Sequence, residues 1–213
     1  ASAFEESWLD RKTVVAIGPG LGVSPENQLL TRRIIEAVEV PLVVDADGLR
    51  ALELGAPLRS RFGRRLTVLT PHPGEMGVLT GLSAAGVQGR RVELARSFAQ
   101  EYGVHLVLKG FRTLIATPDG QVLVNPTGTP AMAKAGSGDI LTGMIGGFLA
   151  QFAGEEPARV IAAAVYLHGL AGELAVKDTG ELGLLASDLP RYLPAAIDEV
   201  KTRDGGGTPF QPL

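Results

Sequence analysis

The feature that most constrains this chain is an alternation: a short apolar run, a loop of glycine, proline or acidic residues, and then a helical pattern. Thr13-Val14-Val15-Ala16-Ile17 is rich in β-branched residues and stops at Gly18-Pro19-Gly20-Leu21-Gly22. Pro25 stands where a helix begins, and Leu29, Leu30, Ile34, Ile35 and Val38 recur at helical spacing until Pro41. Leu42-Val43-Val44-Asp45 reads as a second buried strand, and Leu66-Thr67-Val68-Leu69 as a third, closed by Thr70-Pro71-His72-Pro73-Gly74. A helix over residues 90–102 precedes a strand over 104–108. Strands this apolar, alternating with helices, need cover on both faces. The pattern predicts an α/β fold with a mostly parallel central sheet between two helical layers.

The pattern changes after residue 112. Thr113-Leu114-Ile115-Ala116 and Val122-Leu123-Val124 flank Pro118-Asp119-Gly120, which predicts an antiparallel hairpin at one edge of the sheet. Beyond the loop 125–136 the chain reads as helical. Ile140, Leu141, Met144, Ile145, Phe148, Leu149 and Phe152 form one stripe, and residues 161–176 form another. Asp204-Gly205-Gly206-Gly207 opens an expected flexible tail over 204–213. No repeat or linker divides the rest, so residues 1–203 read as one domain. A net charge of −3 offers no general attraction to nucleic acid. The absence of cysteine excludes disulfides, thiolate metal sites and a cysteine nucleophile, and suits a cytoplasmic protein. Apolar runs break well short of the roughly 20 residues of a membrane span, and no leader-like pattern opens the chain.

The strongest chemical signal is the small-residue loop Asn125-Pro126-Thr127-Gly128-Thr129-Pro130-Ala131-Met132-Ala133-Lys134-Ala135-Gly136-Ser137-Gly138-Asp139, which runs straight into an amphipathic helix. The first N–H groups of a helix have no internal acceptor and carry the positive end of its dipole, and glycines let a ligand reach them. This suits a phosphate. Asp139, in the first turn, is then placed to take the proton of an attacking hydroxyl. Alternatively, Ser137 is an N-cap and Asp139 only complements the dipole. No Gly-Lys-Ser/Thr follows these glycines, which excludes a Walker A loop.

Other loops after strands add candidates. Glycines at 18, 20 and 22 give a tight turn without the Gly-x-Gly-x-x-Gly spacing of a dinucleotide site. Two prolines stiffen the loop that carries His72, and a lone His and Glu at this spacing make no metal site. Asp45 and Asp47 either touch a Mg²⁺-bound phosphate or cap the next helix. Lys109-Gly110-Phe111-Arg112-Thr113 offers cations and bare backbone to a nucleotide, or is an ordinary turn. His168, in an apolar helical stretch, reads as a packing histidine.

Taken together these segments resemble one family, the nucleotide-dependent NAD(P)H-hydrate dehydratases of the ribokinase-like superfamily. Residues 17–22, 41–49, 70–76, 107–113, 125–148 and 163–175 match in order, and the pair Thr-Pro-His-Pro-Gly-Glu and Asn-Pro-Thr-Gly…Gly-Ser-Gly-Asp is specific. The resemblance implies a ribokinase-like three-layer fold. It also implies repair of hydrated NADH or NADPH (NADHX or NADPHX), in which ADP or ATP, with Mg²⁺, phosphorylates the added hydroxyl and phosphate then leaves. It implies that Gly22, His72 and Asp139 contact the hydrate, that Asp139 is the base, and that residues 109–113 and Gly138 hold the adenine nucleotide. It leaves the metal ligands unassigned and suggests a homo-oligomer. Family members carry a further stretch before the segment matching Ile17, with a His-Lys-Gly motif and early strands, so the chain is expected to begin inside the family domain with part of its substrate pocket missing. Two other readings share the loop: a small-molecule hydroxyl kinase, such as a thiazole or pyrimidine alcohol kinase, and a nucleotide-binding protein without catalysis. His72 favours the dehydratase.

Overall fold

A computed structural model describes residues 4–52, 61–202 and 211–212. Strands β1 (Val15–Ile17), β2 (Leu42–Val44), β3 (Thr67–Leu69) and β4 (His105–Leu108) lie side by side and parallel, with Ala16 opposite Val43 and Val43 opposite Val68. The two-residue period of a strand sends alternate side chains to opposite faces. Leu42, Val44, Leu69, Leu106 and Leu108 therefore join Ile35, Met76 and Phe98 in one core. Val43, Val68 and Val107 join Leu141, Ile145, Leu149, Ile161 and Val165 in another. The first face is covered by α1 (Pro25–Ala37), α3 (Pro73–Thr80), α4 (Ala84–Gly89) and α5 (Arg91–Tyr102), with a single turn, α2 (Asp47–Arg50), following β2. The second is covered by α6 (Ser137–Gln151) and α7 (Pro157–Gly183), against which α8 (Leu189–Thr202) packs. The expected three layers are present.

The hairpin also forms where expected. β5 (Leu114–Ala116) runs antiparallel to β4, and β6 (Val122–Val124) antiparallel to β5. Asp119 holds the turn, its carboxylate accepting from the Thr117 hydroxyl and, at 3.3 Å, from the Gln121 N–H. Within the expected tail, β7 (Gln211–Pro212) pairs with β6, while residues 204–210 and 213 lie outside the described residues.

Two expectations need correcting. Leu29 belongs to the helical stripe of α1 yet is 60% exposed, because the buried face of that helix turns on Thr31 and Ile35. The apolar runs looked too short for a membrane span, but α7 is 27 residues long and, by length and composition, could cross one. Most of its apolar stretch is buried inside the protein, because the helix lies between the sheet and α8.

The first two strand-ending loops touch at Gly18. Its φ of 135° lies in the region that favours glycine, and a Cβ there would overlap the Asp45 carbonyl. Gly18→Ala is therefore expected to destabilise the fold by at least about 3 kcal/mol, read as a lowered denaturant midpoint. A loss below about 1 kcal/mol would refute this close packing.

Candidate functional site

The carboxyl ends of β1 to β4 bring their loops to one end of the sheet, and a buried carboxylate organises them. Asp45, directly after β2, has no solvent exposure. Its Oδ1 accepts from Lys109 Nζ at 2.6 Å and its Oδ2 from Thr142 Oγ1 at 2.6 Å, which ties β2 to the end of β4 and to α6. Glu75 Oε2 lies 3.7 Å from the same ammonium. That oxygen also accepts from the His72 N–H at 2.7 Å, closing a capping box at the start of α3. The ring of His72 completes the cap: Nδ1 accepts from the N–H groups of Gly74 (3.0 Å) and Glu75 (3.2 Å). Two donors on Nδ1 place the proton on Nε2, which faces Glu75 Oε1 at 3.3 Å. His72 is thus a helix cap with a half-exposed ring, not a free loop side chain.

The glycine-rich turn that opens α6 has the expected form with one correction. Gly136, at φ 89°, is the N-cap of α6 and Ser137 is the first helical residue, so Ser137 does not cap the helix. Ser137 N–H donates to Lys134 O and Ile140 N–H to Gly136 O, while the N–H groups of Gly138 and Asp139 precede any intrahelical acceptor. Lys109 Nζ adds a full positive charge here, lying 3.2 Å from where a Cβ of Gly138 would stand.

A cavity of about 600 Å³ opens beside this turn, lined largely by apolar atoms. His72, Lys109, Gly110, Phe111, Arg112, Thr113 and Gly138 all border it, as does the loop 125–134. Gly110 at φ 139° and Arg112 at φ 56° shape the turn 109–113, and Arg91 clamps it by donating to Phe111 O at 2.6 Å and Leu108 O at 3.3 Å. Phe111 is 83% exposed, with the Arg112 guanidinium 5.6 Å from its ring centroid.

The loop 125–134 is seated on α7. Thr127 Oγ1 donates to Tyr166 O at 2.8 Å, and the Gly128 N–H donates to Glu173 Oε1 at 2.7 Å. Gly169 makes this approach possible, since a Cβ there would overlap Thr127. Lys134 is committed elsewhere: its ammonium donates to Leu184 O at 2.6 Å and Leu182 O at 3.1 Å, at the C-terminal end of α7.

Gly22 and Asp139 stand at the same end of the molecule but not on the cavity wall. The Gly22 N–H donates to Asp47 Oδ2 at 2.9 Å, and Asp139 is exposed in the first turn of α6. The alternatives left open for the two aspartates now separate: Asp45 holds Lys109 and Thr142, Asp47 holds Gly22, and neither side chain caps α2. His168 was read as a packing residue and is indeed buried, yet it borders the cavity with Nε2 3.0 Å from Ser137 O. Gly169 and Gly172 beside it are the sequence signal of close approach that could have drawn attention to this stretch. Among the described residues no group of three or more His, Asp or Glu side chains could hold a metal ion.

The loops that make this site belong to a recognised pattern. A family model described as NAD(P)H-hydrate dehydratase matches residues 2–195. The chain belongs to the NAD(P)H-hydrate dehydratase family. The bifunctional NAD(P)H-hydrate repair enzyme of Moorella thermoacetica is 47% identical over 89% of this chain, which spans only 36% of that relative's length. The ADP-dependent (S)-NAD(P)H-hydrate dehydratase of Bacillus subtilis is 39% identical over 84% of this chain and 62% of its own length. A crystal structure of the Bacillus subtilis ADP/ATP-dependent NAD(P)H-hydrate dehydratase, co-crystallised with ATP and Mg²⁺, aligns at a TM-score of 0.77 and 36% identity, covering 88% of this chain and 64% of that one. A ribokinase-like superfamily protein from Enterococcus faecalis aligns at a TM-score of 0.75 and 28% identity, covering 91% and 66%.

Two stability effects follow. Asp45→Ala leaves the Lys109 ammonium without its closest partner in a largely buried position, and is expected to cost about 3–5 kcal/mol by denaturant unfolding. Burial, reinforced by the charge of Lys109, lowers the pKa of His168 from its ordinary 6.5 to about 4, against a partly opposing bond from Ser137. Burial also lowers His105. The unfolded chain therefore binds more protons in this range, so stability is complete above about pH 6.5 and declines toward pH 4. For His168 the linked loss is about 3 kcal/mol, and His168→Gln should flatten part of the slope, leaving the His105 share. An unchanged slope in that variant would refute it.

Proposed function

We propose that this chain acts in the repair of hydrated NADH or NADPH by phosphoryl transfer from ADP or ATP followed by elimination of phosphate. The observation that carries the reading is the meeting of Lys109, the open N-terminus of α6 and an apolar-lined cavity at one point, with Asp139 one residue beyond Gly138. A nucleotide fits this arrangement. The cavity is of ligand size, the turn 109–113 offers backbone and the Phe111 ring to a base, and the first N–H groups of α6 with Lys109 offer positive potential to phosphates.

The chemistry then divides between wall and mouth. Asp139, outside the cavity wall, takes the proton of the hydrate's hydroxyl as its oxygen bonds the terminal phosphorus and the phosphoanhydride bond breaks. Breaking the carbon–oxygen bond next releases inorganic phosphate, and loss of a proton from the adjacent ring carbon to solvent restores the ring double bond. His72, at the edge of the cavity, and Gly22, outside its wall, are the candidate contacts to the hydrate. Mg²⁺ fits only as an ion carried by the phosphates, since the described residues form no cage and Asp45 is engaged by Lys109 and Thr142. When bound it would neutralise charge on the transferred group. A homo-oligomeric assembly and a cytoplasmic location complete the proposal; the family resemblance supports the first and the absence of cysteine fits the second.

The test is incubation with hydrated NADH, Mg²⁺ and ADP or ATP. Recovery of dihydronicotinamide absorbance with release of phosphate is the expected outcome. Accumulation of a phosphorylated product without recovery would point to a hydroxyl kinase instead. Asp139→Asn should keep nucleotide affinity within severalfold while kcat falls by about 10²–10⁴-fold. Normal turnover in that variant would remove Asp139 from the base role.

A further inference from the structure

The N-terminus of α6 lacks the device that usually orients such a turn. Its N-cap is Gly136, so no side chain caps the first N–H groups from the preceding residue. The peptide that matters most joins Ser137 to Gly138. Because a peptide unit is planar and trans, its C=O and N–H point in opposite directions, and whatever holds one aims the other. Ser137 O, on the first residue of α6, meets the buried His168 Nε2 at 3.0 Å, and the N–H at the far side of that peptide belongs to Gly138, which borders the cavity beside Lys109. A carbonyl partner requires a donor, so Nε2 carries the proton. Burial keeps this imidazole neutral, so it supplies a donor without a second positive charge that would compete for the ligand.

The helix that carries this ring is also the seat of the neighbouring loop. His168 lies on α7 beside Gly169, where Thr127 packs, and one and a half turns before Glu173, which holds the Gly128 N–H. Loop 125–134 and the anion turn are thus both referenced to one rigid helix.

We propose that His168 is a positioning residue, which by donating from Nε2 to Ser137 O aims the Gly138 N–H at the phosphates of the bound nucleotide. This rests on the nucleotide reading above. A residue that only fills space would affect all ligands of the cavity alike, whereas one that aims an N–H at phosphate affects only ligands that carry phosphate.

Binding of MgATP by calorimetry and of adenosine by ligand-observed NMR, in the unmodified chain and in His168→Leu and His168→Gln, separates these cases. The leucine variant should lose about tenfold in MgATP affinity with adenosine unchanged within about twofold, and the glutamine variant, whose amide reaches as far as Nε2, should stay within about threefold of the unmodified chain for both. Should the leucine variant fail to fold, His168→Asn, whose shorter amide falls short of Ser137 O, takes its place with the same expectation. Equal losses for MgATP and adenosine, no loss at all, or a glutamine variant as weak as leucine would overturn the positioning role while leaving the nucleotide reading intact. Failure of the unmodified chain to bind MgATP would overturn the nucleotide reading, and this role with it.

Discussion

A fully buried carboxylate is the constraint on which the rest of the site depends. Taking Asp45 out of water is unfavourable unless its oxygens are fully engaged. Lys109 and Thr142 engage one oxygen each. The three side chains come from the end of β2, the end of β4 and the second turn of α6, so satisfying one charge ties two strand ends to the helix that covers them. It also holds the Lys109 ammonium beneath the open end of α6, where a fixed positive charge and a helix dipole reinforce each other. The backbone around it is under tension. Ala46, the next residue, takes φ 49°, and Gly18 leaves no room for a side chain against the Asp45 carbonyl.

The helices contribute unequally to this site. α3 delivers His72 through its own N-cap, so the direction of that ring is set by local hydrogen bonds at the helix start. α7 acts through tertiary contacts, and small residues on one face let loop 125–134 settle against its backbone. The result separates two environments. Residues 109–113 and Gly138 border a cavity walled by apolar atoms, whereas Asp139 and Gly22 stand in solvent at its side. Gly138 and Asp139, adjacent in the first turn of α6, mark the boundary between the two.

Much of the architecture was legible because it follows from periodicity. The strands of β1 to β4, the hairpin around Asp119 and the start of α6 at Ser137 all came from local patterns, since a two-residue alternation or a glycine-rich stop acts over a few neighbours. Leu29 shows the limit of that reading, because a helical stripe does not say how far its buried face extends. α7 shows another: composition alone does not separate a helix buried by a sheet and a neighbouring helix from one buried by lipid.

The sequence by itself determined the fold class, the order of the loops and the glycine-rich start of a helix with Asp139 in its first turn, because each is encoded by residues adjacent along the chain. Only the tertiary structure decided what Asp45, Asp47 and His168 do. Their partners, Lys109 and Thr142, Gly22, and the Ser137 carbonyl, lie 25 or more residues away. A charged or polar side chain such as Asp45 or His168 has no preferred partner until burial removes water as the alternative, and the exposed Asp47–Gly22 bond depends on the packing that brings their two loops together.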